Sequence, residues 1–374
     1  MKTTGRVKRI TTRKNHLVTF RWDVLCIAQF RLTLILGAVI VMRIGYFSLA
    51  ALLLCLGNGA PGFAANSDLI EGAKKEGAID WFGGGSAEID EQINRGFMKK
   101  YPFIQARKTR VQSQRLLVRF ETESRAGKHS ADIVRTTDWY IDIFKKKGLL
   151  LQYDPPERKQ IPDEMKDRDG FYTSLYLAVH ALAYNTRLVP KSELPRSYDD
   201  LLEPKWQGKL GLEDAAYVWF VNMLKIKGEK AGIEYVRRLA RQGVSLRAST
   251  SLLTNLVAAG EIPFAIDLYA DDVERLKKAG APLDWVAFDP MIVHTIAGGI
   301  NKNAPHPNAA KLFMDFLLSE EGQRIYQSQN MQPTRRGIGA PWMPKNVKLH
   351  VNDPDIGDKV GDYQKLFAEV FGKK

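Results

Sequence analysis

Two stretches carry residue types that could do chemistry. In Glu261 to Tyr269, EIPFAIDLY, an apolar run ends in Asp267-Leu268-Tyr269, and the acids Asp271-Asp272 follow at once. A carboxylate and a phenol at a strand end could hold a metal ion or an amine. The same acids also suit the first turn of a helix, where they meet the positive end of its dipole. The second stretch is Gly83-Gly84-Gly85-Ser86, after Ala78-Ile79-Asp80-Trp81-Phe82. Backbone N–H groups and a helix start at such a loop can receive an anion. It is no P-loop, because no Gly-Lys-Ser/Thr follows. Nor is it a nucleophile elbow, since Glu88 stands where the second flanking glycine is needed. Glu88, Asp90 and Glu91 crowd the turn after it and compete with any anion.

The elements that position these stretches follow from periodicity. Asp68 to Glu76 reads as a helix and Ala78 to Phe82 as a strand. Ser86 is placed to cap a helix with Ile89, Ile93 and Phe97 on one face. Strands near Ile104–Val111 and at Ala131–Val134 flank a helix from about Ser113 to Ser124. Such alternation predicts a parallel sheet covered by helices, whose ligands sit beyond the carboxyl ends of the strands. Gly84, Gly85, Ser86, Thr136, Thr137 and Asp138 then share one rim. YLAVHALAY, Tyr176 to Tyr184, is long enough to cross between two lobes, and Val286 to Ile300 is a second crossing, ending in a Gly298-Gly299 break. Between them, Asp214 is expected to cap a helix from Ala215 to Lys227, and Ser249-Thr250 to cap Leu252–Ala259. Asn308 stands as the cap of a helix whose apolar stripe is Ala309, Leu312, Phe313, Phe316 and Leu317. Ser319 restarts it, and Gly322 breaks or bends it.

The run AGGINKNAPHPNAAKLFMDFLLSEEGQRI resembles a signature of bacterial periplasmic solute-binding proteins of ABC importers, in the branch that includes ferric-binding proteins. LPRSYDDLLEPKWQGKLGLED resembles a second passage of that family, and the likeness extends over nearly everything after residue 66. It implies an α/β, two-lobe, type II periplasmic-binding-protein fold with a hinge and central cleft. Lobe I would take 65–178 with 296–320, lobe II 179–295, and 321–374 would wrap the lobes. It implies a small-molecule ligand, an ABC permease in the inner membrane as partner, and a monomer. The expected ligand-binding set is Gly84, Gly85, Ser86, Thr136, Thr137, Asp214, Ala215, Ser249, Thr250, Asp267 and Tyr269. No catalytic residue, cofactor or metal ligand is expected. Ferric-binding members use a His, a Glu and two adjacent tyrosines; here those positions hold Ser86, Thr137, Tyr269 and Ala270. Ferric iron needs several hard anionic oxygens, so a small organic ion or a phosphonate is the expected cargo. Glu213 and Asp214 at a helix start repel a bare anion and favour an amine-bearing one.

Charge and cysteine bound the alternatives. The chain has 374 residues and a formal charge of +13, which invites a nucleic-acid or membrane reading. Residues 1–64 hold nine Lys/Arg against the single acid Asp23, leaving +5 for the rest. Spread over such a length, +5 is an ordinary surface, and no nucleic-acid partner is expected. Both cysteines, Cys26 and Cys55, lie in that same segment. MRIGYFSLAALLLCLGNGAPGFA, read from Met42, has the form of an export signal with small residues at Gly62 and Ala64. The expectation is a translation start at Met42, cleavage near Ala64 and a periplasmic location. A retained anchor spanning roughly Leu25 to Leu56 is interrupted by Arg43. The six histidines show no metal-ligand spacing. A periplasmic hydrolase or transferase is the competing reading, without a nucleophile elbow or zinc-binding helix to support it.

Overall fold

The computed structural model describes residues 67–372; the expected export signal, start site and cysteines lie outside them. In chain order the regular elements are α1 Ser67–Glu76, β1 Ala78–Gly83, α2 Ala87–Lys100, β2 Gln105–Arg110, α3 Ser113–Arg125, β3 Ile133–Thr137, α4 Asp138–Lys146 and β4 Leu150–Leu151. The long β5 Thr173–Asn185 follows. Then come β6 Leu210–Glu213, α5 Tyr217–Lys227, α6 Glu229–Ala240, β7 Ser245–Arg247, α7 Thr250–Ala259, β8 Phe264–Tyr269, α8 Ala270–Lys278 and β9 Leu283–Val286. β10 Met291–Asn301 is the second long strand. After it stand α9 Pro307–Leu318, α10 Glu320–Ser328, β11 Gln332–Pro333, β12 Leu349–Val351 and α11 Val360–Phe371.

The main strand order is β2-β1-β3-β10-β5-β8-β6-β7. One strand serves two sheets. Thr173 to Val179 of β5 pairs antiparallel with β10, and His180 to Tyr184 pairs antiparallel with β8. β1, β2 and β3 run parallel to one another, as do β6, β7 and β8. Each parallel set is completed by antiparallel pairing to a long apolar strand, a mixed arrangement common in sheets covered by helices. The two sheets have separate cores. The first centres on Trp81, Phe97, Phe313 and Phe316, with α9 giving up its whole apolar stripe. The second centres on Trp206, Trp219, Phe220 and Phe264. The last helix joins the second: the Phe367 ring meets Phe220 and Tyr217, each at 5.3 Å.

Several local expectations are met and others corrected. Ser249 caps α7 by accepting the Leu252 N–H, and Ser319 caps α10 through Gly322 N. Asn308 is not a cap. His306 holds that place, Pro307 opens the helix, and Asn308 donates its side-chain amide to Glu76 at 2.7 Å. Glu76 also accepts the Asn308 and Ala309 backbone N–H groups, so a carboxylate from α1 serves the end of α9. Asp214 is no cap either: α5 begins two residues later than expected, at Tyr217, with Ala216 before it. Gly298-Gly299 does not end β10. Side chains there would press on Met314 and Leu150, so both glycines serve close approach within an unbroken strand. Gly322 lies inside α10, where a methyl group would sit 2.1 Å from the Phe316 carbonyl oxygen; it permits the tight α9–α10 corner.

Phe313 stands between Trp81 (5.4 Å) and Phe97 (4.8 Å) and is fully buried. Phe313→Ala is expected to lower stability by about 3–5 kcal/mol, read as a shifted urea midpoint; an unchanged midpoint would remove this ring from the centre of the first core.

Candidate functional site

The carboxyl ends of β1 and β3 in the first sheet, and of β6 and β8 in the second, all turn toward the place where β5 changes sheets. His180, the first residue of β5 in the second sheet, marks that place. It is 5% exposed. Its Nδ1 lies 2.6 Å from Asp267 Oδ1, and its Nε2 lies 2.8 Å from His294 Nδ1. Asp267 stands on β8 and His294 on β10. One hydrogen-bonded chain therefore links both crossing strands to the second sheet. Burial, and then His180, holds His294 well below the ordinary histidine range, so His294 is neutral. The Tyr269 ring meets both imidazoles edge-on, at 5.4 and 5.9 Å, and Trp139 lies 5.8 Å from His294.

Asp138 extends this polar seam. It accepts the Thr295 N–H at 3.1 Å and the Asn352 amide at 3.1 Å, and Asn352 accepts from Asn222 at 2.8 Å. Burial pushes the Asp138 carboxyl up to about 7 against these donors. A buried acid with three elements hung on it ties α4, β10 and the segment after β12 together.

The first-sheet wall is positive. Arg135, 2% exposed on β3, pairs with Asp90 at 2.7 Å and donates to the Gly84 carbonyl. Lys108 also reaches Asp90, at 3.3 Å, and donates to the Gly83 carbonyl at 2.5 Å. Both cations face the Trp81 ring, at 4.6 and 4.7 Å. Two cations share one carboxylate, and burial together with Arg135 pulls the Lys108 ammonium down to about 8. Gly85 must be glycine: its φ is +116, and a Cβ would stand 2.3 Å from Arg135 Nη2. The loop thus closes directly onto the guanidinium. The fully buried Tyr326 hydroxyl lies beside the Arg135 guanidinium; burial raises this phenol, and Arg135 pulls it back down.

The second-sheet wall is negative. Burial, then Asp267, Glu213, Asp271 and Asp272, push the Tyr269 phenol well above its ordinary range. Burial together with Asp272 raises Asp271 to about 7. Burial raises the Tyr176 phenol of β5, with Arg135 pulling it down and Asp271 pushing it up.

The expected site residues separate on this geometry. Gly84, Gly85 and Tyr269, with Asp267 through His180, belong to the seam. Thr250 joins it through its backbone N–H, which faces Glu213. Ser249 is occupied as a cap. Thr136 is buried and bonds Ser113 at 2.7 Å, while the Thr137 hydroxyl is buried without a partner. Ser86 and Ala215 are exposed, and Ser86 makes no side-chain cap bond. Asp214 uses its backbone N–H on the Arg247 carbonyl at 2.8 Å. His180, His294, Arg135 and Tyr176 were not among the expected residues, and Glu213 was expected only as an acid at a helix start that bears on ligand charge. A signal existed for the histidines: each interrupts a long apolar run, VHAL and VHTI. A polar residue inside a two-face-buried strand requires a partner.

Among the described residues, Asp80, Asp132 and His306 bring ligand-type atoms within 4.8 Å of one another. Asp80 is already held by Arg107 at 2.5 and 2.8 Å, and Asp132 accepts from Asp80 N and from His306. These groups lie at the amino ends of β1 and β3, away from the seam.

Residues 128–358 match the family model described as bacterial extracellular solute-binding protein. The chain belongs to that family. Among its relatives, a putative 2-aminoethylphosphonate-binding periplasmic protein of Salmonella typhimurium is 28% identical over 222 residues, 56% of this chain and 64% of its own length. An Fe(3+)-binding periplasmic protein of Serratia marcescens is 22% identical over 211 residues, 54% of this chain and 62% of its own. The chain thus spans less than two thirds of these curated relatives. Solved structures agree on the fold. Iron-bound HitA from Pseudomonas aeruginosa superposes with a TM-score of 0.69 at 22% identity, covering 78% of this chain and 99% of the other. AfuA from Actinobacillus pleuropneumoniae, with fructose-6-phosphate bound, gives 0.68 at 22% identity over 79% and 99%. The fold of this solute-binding chain is the type II periplasmic-binding-protein fold, mixed α/β with a hinge between lobes.

The raised Asp138 carboxyl makes a signed prediction. Its folded pKa of about 7 exceeds the unfolded value near 4, so the folded chain holds the extra proton between them. The stability it contributes is complete below about 4 and is lost as pH rises through 7. The melting-temperature gap between the parent and Asp138→Asn is therefore expected to shrink from pH 5 to pH 8 by scanning fluorimetry. A gap that stays level with pH would mean that Asp138 is ionised throughout.

Proposed function

We propose that this solute-binding protein is the capture component of an ABC importer. Exported to the periplasm, it closes its two lobes on one small organic ion and presents it to an inner-membrane permease. The observation that carries this reading is the opposed polarity of the seam. Arg135 and the Gly83–Ser86 loop form one wall; Glu213, Asp267, Tyr269 and Asp271 form the other, with only the crossing strands β5 and β10 between them. An ion that touches both walls stabilises the closed state over the open one, and that difference is what a partner can read.

The lobe division proposed is 65–178 with 296–320 against 179–295, with 321–374 wrapping both. Its two breaks fall beside His180 and within one residue of His294, the residues joined across the strands. The names of the relatives support a small anionic cargo: a phosphonate in one case, a sugar phosphate in a structural neighbour. The proposed set meeting the ligand is Gly84, Gly85, Thr137, Thr250 and Tyr269, with Arg135 beneath the loop. Ser86, Thr136, Asp214, Ala215 and Ser249 lie around it. The role is capture and release rather than turnover, and a monomer suffices for it. Export fits the periplasmic relatives. Among the described residues no helix is long and apolar enough to cross a membrane.

Native mass spectrometry of protein recovered from the periplasm is expected to show one retained small organic ion per chain. Stripping and restoring that molecule should open and close the chain, seen as a reversible change in the radius of gyration by solution scattering. Absence of any retained molecule, with no thermal shift across phosphonates, sugar phosphates and amino acids, would defeat the capture reading. Ferric iron with tyrosinate colour would keep capture and replace the cargo.

A further inference from the structure

Both crossing strands change partners, and each does so at a histidine. In β5, Val179 is the last residue opposite β10 and His180 the first opposite β8. In β10, Met291 to Val293 pairs with β12 and Ile296 to Ile300 with β3, which leaves His294 and Thr295 between the two ladders. Asp138 takes up the free Thr295 N–H at 3.1 Å, and His294 takes up His180 at 2.8 Å. A register shift lies close by in each strand, between Ala181 and Ala183 and between Ile296 and Ala297. Hinges absorb their rotation at a few residues where regular pairing gives out. The side chains of Asp267, His180 and His294 are thus tied across the place where the two sheets can turn.

That tie tolerates one positive charge. His180 reaches a carboxylate with Nδ1 and an imidazole nitrogen with Nε2, so it donates at both and is the imidazolium that answers Asp267. His294 must then accept at Nδ1, which requires a bare nitrogen there. A proton added to that nitrogen would face the His180 N–H across 2.8 Å. The bond would be lost, and two buried cations would stand with ring centroids 5.1 Å apart. The surrounding groups do not relieve this. Asp267 on β8 is the carboxylate in contact. Glu213 on β6 and Asp138 on α4 both sense His180, but burial above all raises each to about 7, so both lose their charge as pH falls through neutrality. The Tyr269 and Tyr198 phenols, held above their ordinary range by burial, stay neutral.

We infer that the Asp267–His180–His294 chain is an acid-sensitive latch on the hinge: carrying a single positive charge it holds β8, β5 and β10 together, and a second proton, taken up by His294, releases them. The sign follows from the two states. Once the latch is open, His294 meets water and has the ordinary histidine pKa of about 6.5. In the latched state burial and His180 hold it well below that value. The open state therefore binds more protons, so the latch is complete above about 6.5 and weakens as pH falls below it. The inference rests on the hinged two-sheet fold and is independent of the cargo. Where the chain captures a solute, the same proton favours the open state that lets it go.

The test uses the exported chain, stripped of any bound molecule, between pH 7.5 and 4.5. Long-range 1H–15N spectra of histidine-labelled protein are expected to show His294 with its proton on Nε2 and still neutral at about pH 5.5, with His180 cationic at neutral pH. Hydrogen exchange, corrected for its intrinsic pH dependence, is expected to rise tenfold or more at Val179–Ala181 and Val293–Thr295 on acidification. The radius of gyration should rise with it, while the amides of Ile79–Phe82 in the first core keep their protection. His294→Asn puts an amide oxygen near the place of Nδ1 and cannot take the proton. It is expected to keep neutral-pH protection at the crossings within threefold of the parent and to flatten the acid response. Parent crossings that stay protected throughout would overturn the latch. So would a His294 that titrates in the ordinary range or carries its proton on Nδ1, or a His294→Asn variant with the full acid response. Should that variant fail to fold, the parent's spectra and exchange decide by themselves.

Discussion

The hydrogen-bonded chain from Asp267 through His180 to His294 is the constraint on which the seam depends. β5 has to serve two sheets, and a strand that changes partners leaves backbone and side chains at the change-over without the regular ladder of either sheet. His180 occupies that position, and its two ring nitrogens reach one group from each neighbouring strand. An apolar residue there could fill the volume but could not hold β8 and β10 in register against β5. The arrangement is costly to dismantle, since removing one partner leaves a buried charge or donor unmatched. It therefore specifies where the two sheets meet. The orientations of Tyr269 and Trp139 follow from it, because both rings lean on these imidazoles.

Around that point the two walls acquire opposite character from ordinary sheet geometry. On the first sheet, glycines at 83 to 85 let the loop descend onto Arg135, and the strand ends supply cations and backbone donors. On the second sheet, Glu213 at the end of β6 feels the charge of Asp267 on β8, and the first turn of α8 adds Asp271 and Asp272. Neither wall is neutral by itself. Each is held by burial and neighbouring charge: Arg135 by Asp90 and Tyr326 on one side, Glu213 beside Asp267 and the Thr250 N–H on the other. Polar groups are rarely buried without partners.

Much of the fold was legible in the chain. The apolar stripe of α9, the parallel alternation at the start, and the two long apolar crossings all follow from period and length. Caps were legible where a hydroxyl acts locally, as with Ser249 and Ser319, and misread where a distant group takes over. Asn308 lost the capping role because Glu76, brought from α1, already serves that helix end. Asp214 lost it because the chain pairs with β7 for one more residue before turning. The glycines at 298 and 299 looked like breaks because their reason, side chains of Met314 and Leu150 approaching from elsewhere, lies outside any local window. The site was legible as strand ends but not as charges. Arg135 is unremarkable in sequence and gains meaning only from its neighbours, whereas Glu213 was legible as an acid at a helix start but not as a neighbour of Asp267.

The same logic bears on how ligand choice can diverge within one fold. The hinge chain and the two cores involve residues deep in β5, β8 and β10, where a change of volume or polarity costs several kcal/mol. Ser86 and Ala215, by contrast, sit exposed at a strand end and a first turn, where a substitution disturbs little of the core. The resemblance to ferric-binding members implies that Ser86, Thr137, Tyr269 and Ala270 stand where those proteins carry their iron ligands. Losing three anionic or basic donors there leaves the fold intact while removing the hard oxygen set that ferric iron needs. What remains is a weaker, directional field between a positive loop and a negative strand end. That field is the physical ground on which an organic ion, rather than ferric iron, is proposed as the cargo.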